Sequence, residues 1–222
     1  MKTAFRAVLA GLVLAAVASP AAAQTETIKL TSTGSKTWNG YYVGPYQAQV
    51  ISQPGSPTID IYCVDFQHTV SVGQQWDATY SNVMGDLSNT RAGLAYGETT
   101  ARTMYQQAAY LTTFYATANS SQTGAINSAI WNIFYTGAPD KGGSGANSSS
   151  YWLTQAQNNY ATAGIDYRTF AVVTDVKFEL GGKQEFLTTV TATPEPSTYL
   201  MMASGLIGLA GLGYRRRRSE QS

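Results

Sequence analysis

The chain has 222 residues with 14 Lys and Arg against 13 Asp and Glu, one His and one Cys, and its 12% of charged residues compares with roughly 25% in an average soluble chain. This excludes a disordered polyampholyte, and a single cysteine excludes an intramolecular disulfide. Setting aside Lys2, Arg6 and Arg215 to Arg218 leaves 8 basic residues, and setting aside Glu195 and Glu220 leaves 11 acidic ones, so residues 24–193 carry about −3 and offer no basic stripe for nucleic acid.

In chain order, Lys2 and Arg6 precede an uncharged apolar run from Ala7 to Ala18, followed by Ser19-Pro20-Ala21-Ala22-Ala23-Gln24. This is the pattern of a secretory signal peptide, residues 1–23, with cleavage between Ala23 and Gln24 by signal peptidase after passage through the secretion machinery. Twelve residues rise only about 18 Å as a helix, short of a bilayer core of about 30 Å.

Residues 24–193 are long enough for one domain with one core. From Thr27 to about Asn82, β-branched and aromatic residues alternate with polar ones between Gly-Ser, Pro-Gly and Ser-Pro turns, which predicts short strands. The clearest runs from Thr58 to Phe66, with Ile59, Ile61 and Cys63 on the expected core face. From about 103 to 163 the period changes. Met104, Ala108, Leu111 and Tyr115 form one helical stripe and Ile126, Ile130, Ile133 and Phe134 another, the second helix opened by Ser121 and Gln122 and stopped by Gly137-Ala138-Pro139. Lys141 to Ser149 reads as a flexible connector, since its glycines lack the lysine and framing strand of a phosphate loop. A third helix is expected around Tyr151 to Ala163, and strands return over Thr169 to Val176 and Glu185 to Val190. The expected fold class is α+β, mainly β: a sandwich or barrel-like sheet with a helical insertion between early and late strands.

At the C-terminus, Pro194-Glu195-Pro196 leads into an uncharged stretch from Ser197 to Tyr214 and then Arg215-Arg216-Arg217-Arg218. Eighteen residues span about 27 Å as a helix, enough for a transmembrane segment over about 197–214, and the four arginines fix its cytoplasmic end. The order of triplet, uncharged helix and arginine cluster resembles the PEP-CTERM sorting signal of Gram-negative bacteria, here residues 194–219. The resemblance implies recognition by an exosortase, an inner-membrane intermediate held by the C-terminal helix, and a final place in the cell envelope, on the surface or in the extracellular matrix, in association with exopolysaccharide and biofilm.

Within the core, Tyr62-Cys63-Val64-Asp65 followed by Ala129-Ile130-Trp131 resembles the thioester domains of bacterial surface adhesins. That resemblance implies a bond from the cysteine to a Gln two residues before Ala-Ile-Trp, a position occupied here by Asn127, which is one methylene shorter. Cys63 is read first as an inert core thiol. The alternatives are a crosslink to Asn127, or to Gln122 in a shifted register, and intermolecular pairing or a reactive thiol after export.

Enzymatic chemistry finds little support. His68 is the only histidine, Asp65 is too close in sequence to orient it, there is no Gly-x-Ser-x-Gly elbow, and Asp60, Asp65 and Glu98 cannot be paired as carboxylates from sequence. No metal-ligand spacing appears, so neither metal nor cofactor is expected. The stronger rival is a carbohydrate-binding module, given 15 Tyr and 4 Trp in the chain, with Tyr41-Tyr42-Val43-Gly44-Pro45-Tyr46 as the place to look for exposed rings. Trp131 is read as the anchor of its helix. The sequence therefore predicts a non-enzymatic exported protein of structural or adhesive role, with sugar binding as runner-up and hydrolysis third.

Overall fold

The computed structural model describes residues 25–190. The signal segment with Ala23 and Gln24, the triplet Pro194-Glu195-Pro196, the membrane stretch 197–214 and Arg215 to Arg218 lie outside the described residues.

Six strands close into an antiparallel barrel: β1 (Thr25–Ser32), β4 (Pro45–Val50), β5 (Thr58–Cys63), β8 (Phe186–Thr189), β7 (Phe170–Asp175) and β6 (Gln75–Asn82), in that spatial order. The alternation expected from sequence sets the register. Ile28 sits opposite Val50 on one side and Trp76 on the other, Cys63 opposite Phe186, and Phe186 opposite Val173. These inward side chains, with Leu30, Ala48, Ile61 and Ala78, fill the barrel. Closure leaves no unpaired strand edge within the barrel. On β5, Ile61 and Cys63 are buried as expected while Ile59 is half-buried, and the strand ends at Cys63 rather than Phe66.

The helical insertion between β6 and β7 starts earlier than its stripe suggests. It comprises α1 (Arg91–Tyr96), α2 (Glu98–Thr112), α3 (Ser120–Phe134) and α4 (Ser149–Asn159). Asn119 caps α3 in a reciprocal capping box with Gln122, two residues ahead of the expected opening at Ser121. The connector before α4 is tethered rather than free: the Lys141 backbone N–H donates to Ser128 Oγ and Ser149 Oγ, and its Nζ to Ser121 Oγ and the Asn147 carbonyl.

Both faces of β7 are buried, and the helices explain why. Phe170 and Val172 of β7 and Leu187 of β8 join a second core with Tyr105, Ala108 and Leu111 of α2 and Ile126 and Ile130 of α3, while Val173 and Phe186 point into the barrel. The helical layer thus covers the outer face of β7 and β8. Helix α3 belongs to both cores, because Trp131 packs with the barrel cluster. A two-stranded ribbon, β2 (Thr37–Trp38) and β3 (Tyr41–Tyr42), turns through Asn39 and Gly40, both at positive φ (52° and 81°), as a two-residue hairpin of matching twist requires. Among the described residues no helix is long and apolar enough to cross a membrane.

Candidate functional site

Where β5 ends, the chain turns through Asp65 and His68 beneath the start of α1. Asp65 Oδ1 accepts from the backbone N–H groups of Gln67 (2.9 Å) and His68 (3.2 Å), and Oδ2 lies 2.7 Å from His68 Nδ1 and 3.1 Å from Arg91 Nε. The expectation that Asp65 lies too close in sequence to orient His68 is thus corrected. A three-residue turn folds the imidazole back onto the carboxylate. With Nδ1–H donating to Asp65, Nε2 accepts from Arg91 Nη1 at 3.3 Å. Both ring nitrogens are engaged.

Arg91 opens α1, whose N-cap is Thr90. Its Nη1 also donates to the Phe178 carbonyl and its Nη2 to those of Gly181 and Lys183, and the guanidinium carbon stands 5.8 Å from the Phe178 ring centroid. The Nε approach to Asp65 is an ion pair not aligned as a hydrogen bond. Behind it lies Glu185, 1% exposed, which accepts from the Tyr105 hydroxyl, the Thr174 hydroxyl (2.7 Å) and the Arg91 backbone N–H (3.0 Å). Burial pushes the Glu185 carboxyl above its ordinary value, outweighing the donors that lower it.

In front of this cluster opens a cavity of about 150 Å³ walled by Phe66, Tyr96, Phe134 and Tyr135. Phe66 and Tyr135 have near-parallel planes, 13° apart, with centroids 6.4 Å apart. Phe66 also packs on Trp131 (5.1 Å), and Tyr41 of the ribbon meets both edge-on, at 5.1 Å and 5.8 Å. A larger opening of about 350 Å³ lies elsewhere, at Thr27, Asp77 and Asp175.

The aromatic expectation is met in part. Tyr41 and Tyr42 are exposed, as are Tyr96 and Tyr135, but Tyr46 is buried in the barrel core. Trp76, Trp131 and Trp152 are buried. Arg91, Glu185, Tyr96 and Tyr135 were not legible as a site. Asp60 and Glu98 take no part in it.

Cys63 and Asn127 have separate partners. Asn127 and Trp131 stand one turn apart on α3, and Trp131 Nε1 donates to Cys63 Sγ at 3.4 Å. The thiol donates to the Asp65 carbonyl (3.2 Å), and Gln184 Nε2 approaches the sulfur at 3.4 Å. Asn127 Oδ1 accepts from the Gly44 N–H (2.8 Å) and the Tyr115 hydroxyl (3.0 Å), while its buried amide nitrogen has no acceptor among the described residues. Burial pushes the Cys63 thiol up to about 12, so almost no thiolate is present at neutral pH. The native protein is therefore expected to resist iodoacetamide and to gain no mass in methylamine, with one thiol titrating after denaturation. Loss of one ammonia from the intact mass would instead report an acyl crosslink.

Among the described residues no group of three or more His, Cys, Asp or Glu is placed to hold a metal ion. Comparison with protein-family models matches residues 192–218 to the PEP-CTERM protein-sorting motif, a span that contains Pro194-Glu195-Pro196 and Arg215 to Arg218. No curated protein and no solved structure compared with the chain matches it, so the likeness of the core to thioester domains rests on the residues alone. The motif implies export, a membrane-anchored intermediate and processing by an exosortase.

Proposed function

We propose that this chain is a non-enzymatic protein of the cell envelope or extracellular matrix, structural or adhesive in role and associated with exopolysaccharide. The sorting motif at 192–218 carries the reading, because it implies an exported chain processed by an exosortase. The His68 geometry supports a non-catalytic core. His68 Nδ1 faces the Asp65 carboxylate and Nε2 faces the Arg91 guanidinium, so the imidazole is held between two charged groups and neither nitrogen faces a hydroxyl or thiol nucleophile among the described residues. Alanine at Pro194, Glu195 and Pro196 together is expected to hold the protein in the membrane fraction, read by fractionation and immunoblotting. Wild-type distribution of that variant would remove the sorting step from the account.

A second reading, sugar binding by the core, is favoured by one observation. Tyr96 and Tyr135 leave aromatic surface uncovered at a cavity that also presents polar groups. A glycan array probed with the mature protein tests it.

A further inference from the structure

We infer that the cavity between Phe66, Tyr96 and Tyr135 is a binding site for one neutral pyranose ring of a polysaccharide. The inference rests on the sugar-binding reading and gives it a place and a ligand class. A pyranose has an apolar face of C–H groups and a rim of hydroxyls, so it needs ring faces and hydrogen-bonding groups side by side. The cavity supplies both. Tyr135 and Tyr96 are 39% and 53% exposed, and Phe66, whose plane is near-parallel to that of Tyr135, is braced by Trp131 and Tyr41. Such bracing fixes the Phe66 ring before a ligand arrives. The exposed Gln67 side-chain amide and the Tyr135 hydroxyl make no hydrogen bond among the described residues and remain available to hydroxyls.

Size and charge narrow the class. A volume of about 150 Å³ falls below the roughly 300–1,000 Å³ of drug-sized ligand sites, which suits one ring of a chain that continues into solvent. Among the described residues the floor has no free cation. Every Arg91 side-chain nitrogen faces Asp65, His68 or a backbone carbonyl, and two carboxyl groups, Asp65 and Glu185, accompany that one guanidinium. A uronate would meet the Asp65 carboxylate instead of an unpaired positive group, so the site favours neutral sugars.

The test is calorimetric titration of the full-length protein in a non-glycosidic detergent with neutral gluco- and mannooligosaccharides and with oligogalacturonate. At least one neutral oligosaccharide is expected to bind and oligogalacturonate is not. Tyr135→Ala is expected to lower the affinity about tenfold or more, as loss of a central aromatic contact does, while Gln67→Ala weakens it less. Tyr151→Ala, which removes an exposed ring on α4, should leave binding unchanged. Melting temperatures of the variants show that they fold. Binding of a neutral sugar that survives Tyr135→Ala would overturn the site and leave sugar binding standing, preference for the uronate would overturn the ligand class, and no binding by any sugar would overturn both.

Discussion

Gly93→Ala is expected to destabilise the folded core by about 3 kcal/mol, the upper end of the usual overpacking cost, which at about 2–4 °C per kcal/mol lowers the melting temperature by roughly 6–12 °C. In an ordinary helix interior the same change is favourable by roughly 0.5–1 kcal/mol. Here an added Cβ would stand 1.8 Å from the Leu87 carbonyl oxygen and 2.9 Å from Thr90 Oγ1. Neither atom can retreat cheaply. The Leu87 oxygen accepts from both the backbone and the hydroxyl of Thr90, and that hydroxyl caps α1 by accepting from the Gly93 N–H. The methyl group would therefore push α1 off its own cap, and Arg91 in the first turn would lose its place over Asp65. Leu94→Ala, on the exposed side of the same helix, is expected to change stability by less than about 0.5 kcal/mol. Thermal denaturation followed by circular dichroism separates the two, and equal melting temperatures would mean that α1 does not sit on Leu87.

Glu185→Ala is expected to cost about 3 kcal/mol or more, since each buried donor left without its acceptor costs roughly 1–3 kcal/mol. Three donors would lose their acceptor in a site closed to water: the Tyr105 hydroxyl, the Thr174 hydroxyl and the Arg91 N–H. The Gln variant gives a different, pH-dependent result. Because burial raises the Glu185 carboxyl above its ordinary 4.5, the fold favours the protonated acid. That contribution is fully present below the unfolded value and is lost as pH rises through the raised folded value. Glu185→Gln cannot ionise and lacks this loss, so its stability relative to wild type should rise with pH above the ordinary carboxyl value and stay level below it. Urea midpoints over a pH series test the sign. A relative stability that falls with rising pH would show that the three donors outweigh burial.

These effects concern contacts that the sequence could not display. Strand alternation around Ile28, Ile61 and Cys63 and the stripes through Ala108 and Ile130 were legible, because each depends on neighbours a few residues away. Barrel closure was not, since it depends on Cys63 meeting Phe186 more than a hundred residues on. Helix α1 has six residues with a central glycine and carries too little periodicity to be read from sequence. Asn39-Gly40, between Trp38 and Tyr41, is a local hairpin signal. At the site, His68 and Asp65 were visible as a pair but not as partners, because the turn that joins them is fixed by backbone N–H groups donating to Asp65. Arg91 and Glu185 come from elements 94 positions apart, and only the folded chain places them together. The sorting motif lies at the opposite extreme. Its signal is linear, and the sequence sufficed to find it.

The central claim, that an exosortase processes an exported chain at its C-terminal motif, is tested most directly by the intact mass of the protein recovered from its native host with and without the exosortase. With the enzyme present, the mass should lack residues 1–23 and also the segment beyond the Pro194-Glu195-Pro196 region, including Arg215 to Arg218. Without it, the C-terminal segment should remain. The same mass in both strains, with the arginines retained, would contradict exosortase processing and reduce the C-terminus to a simple membrane anchor.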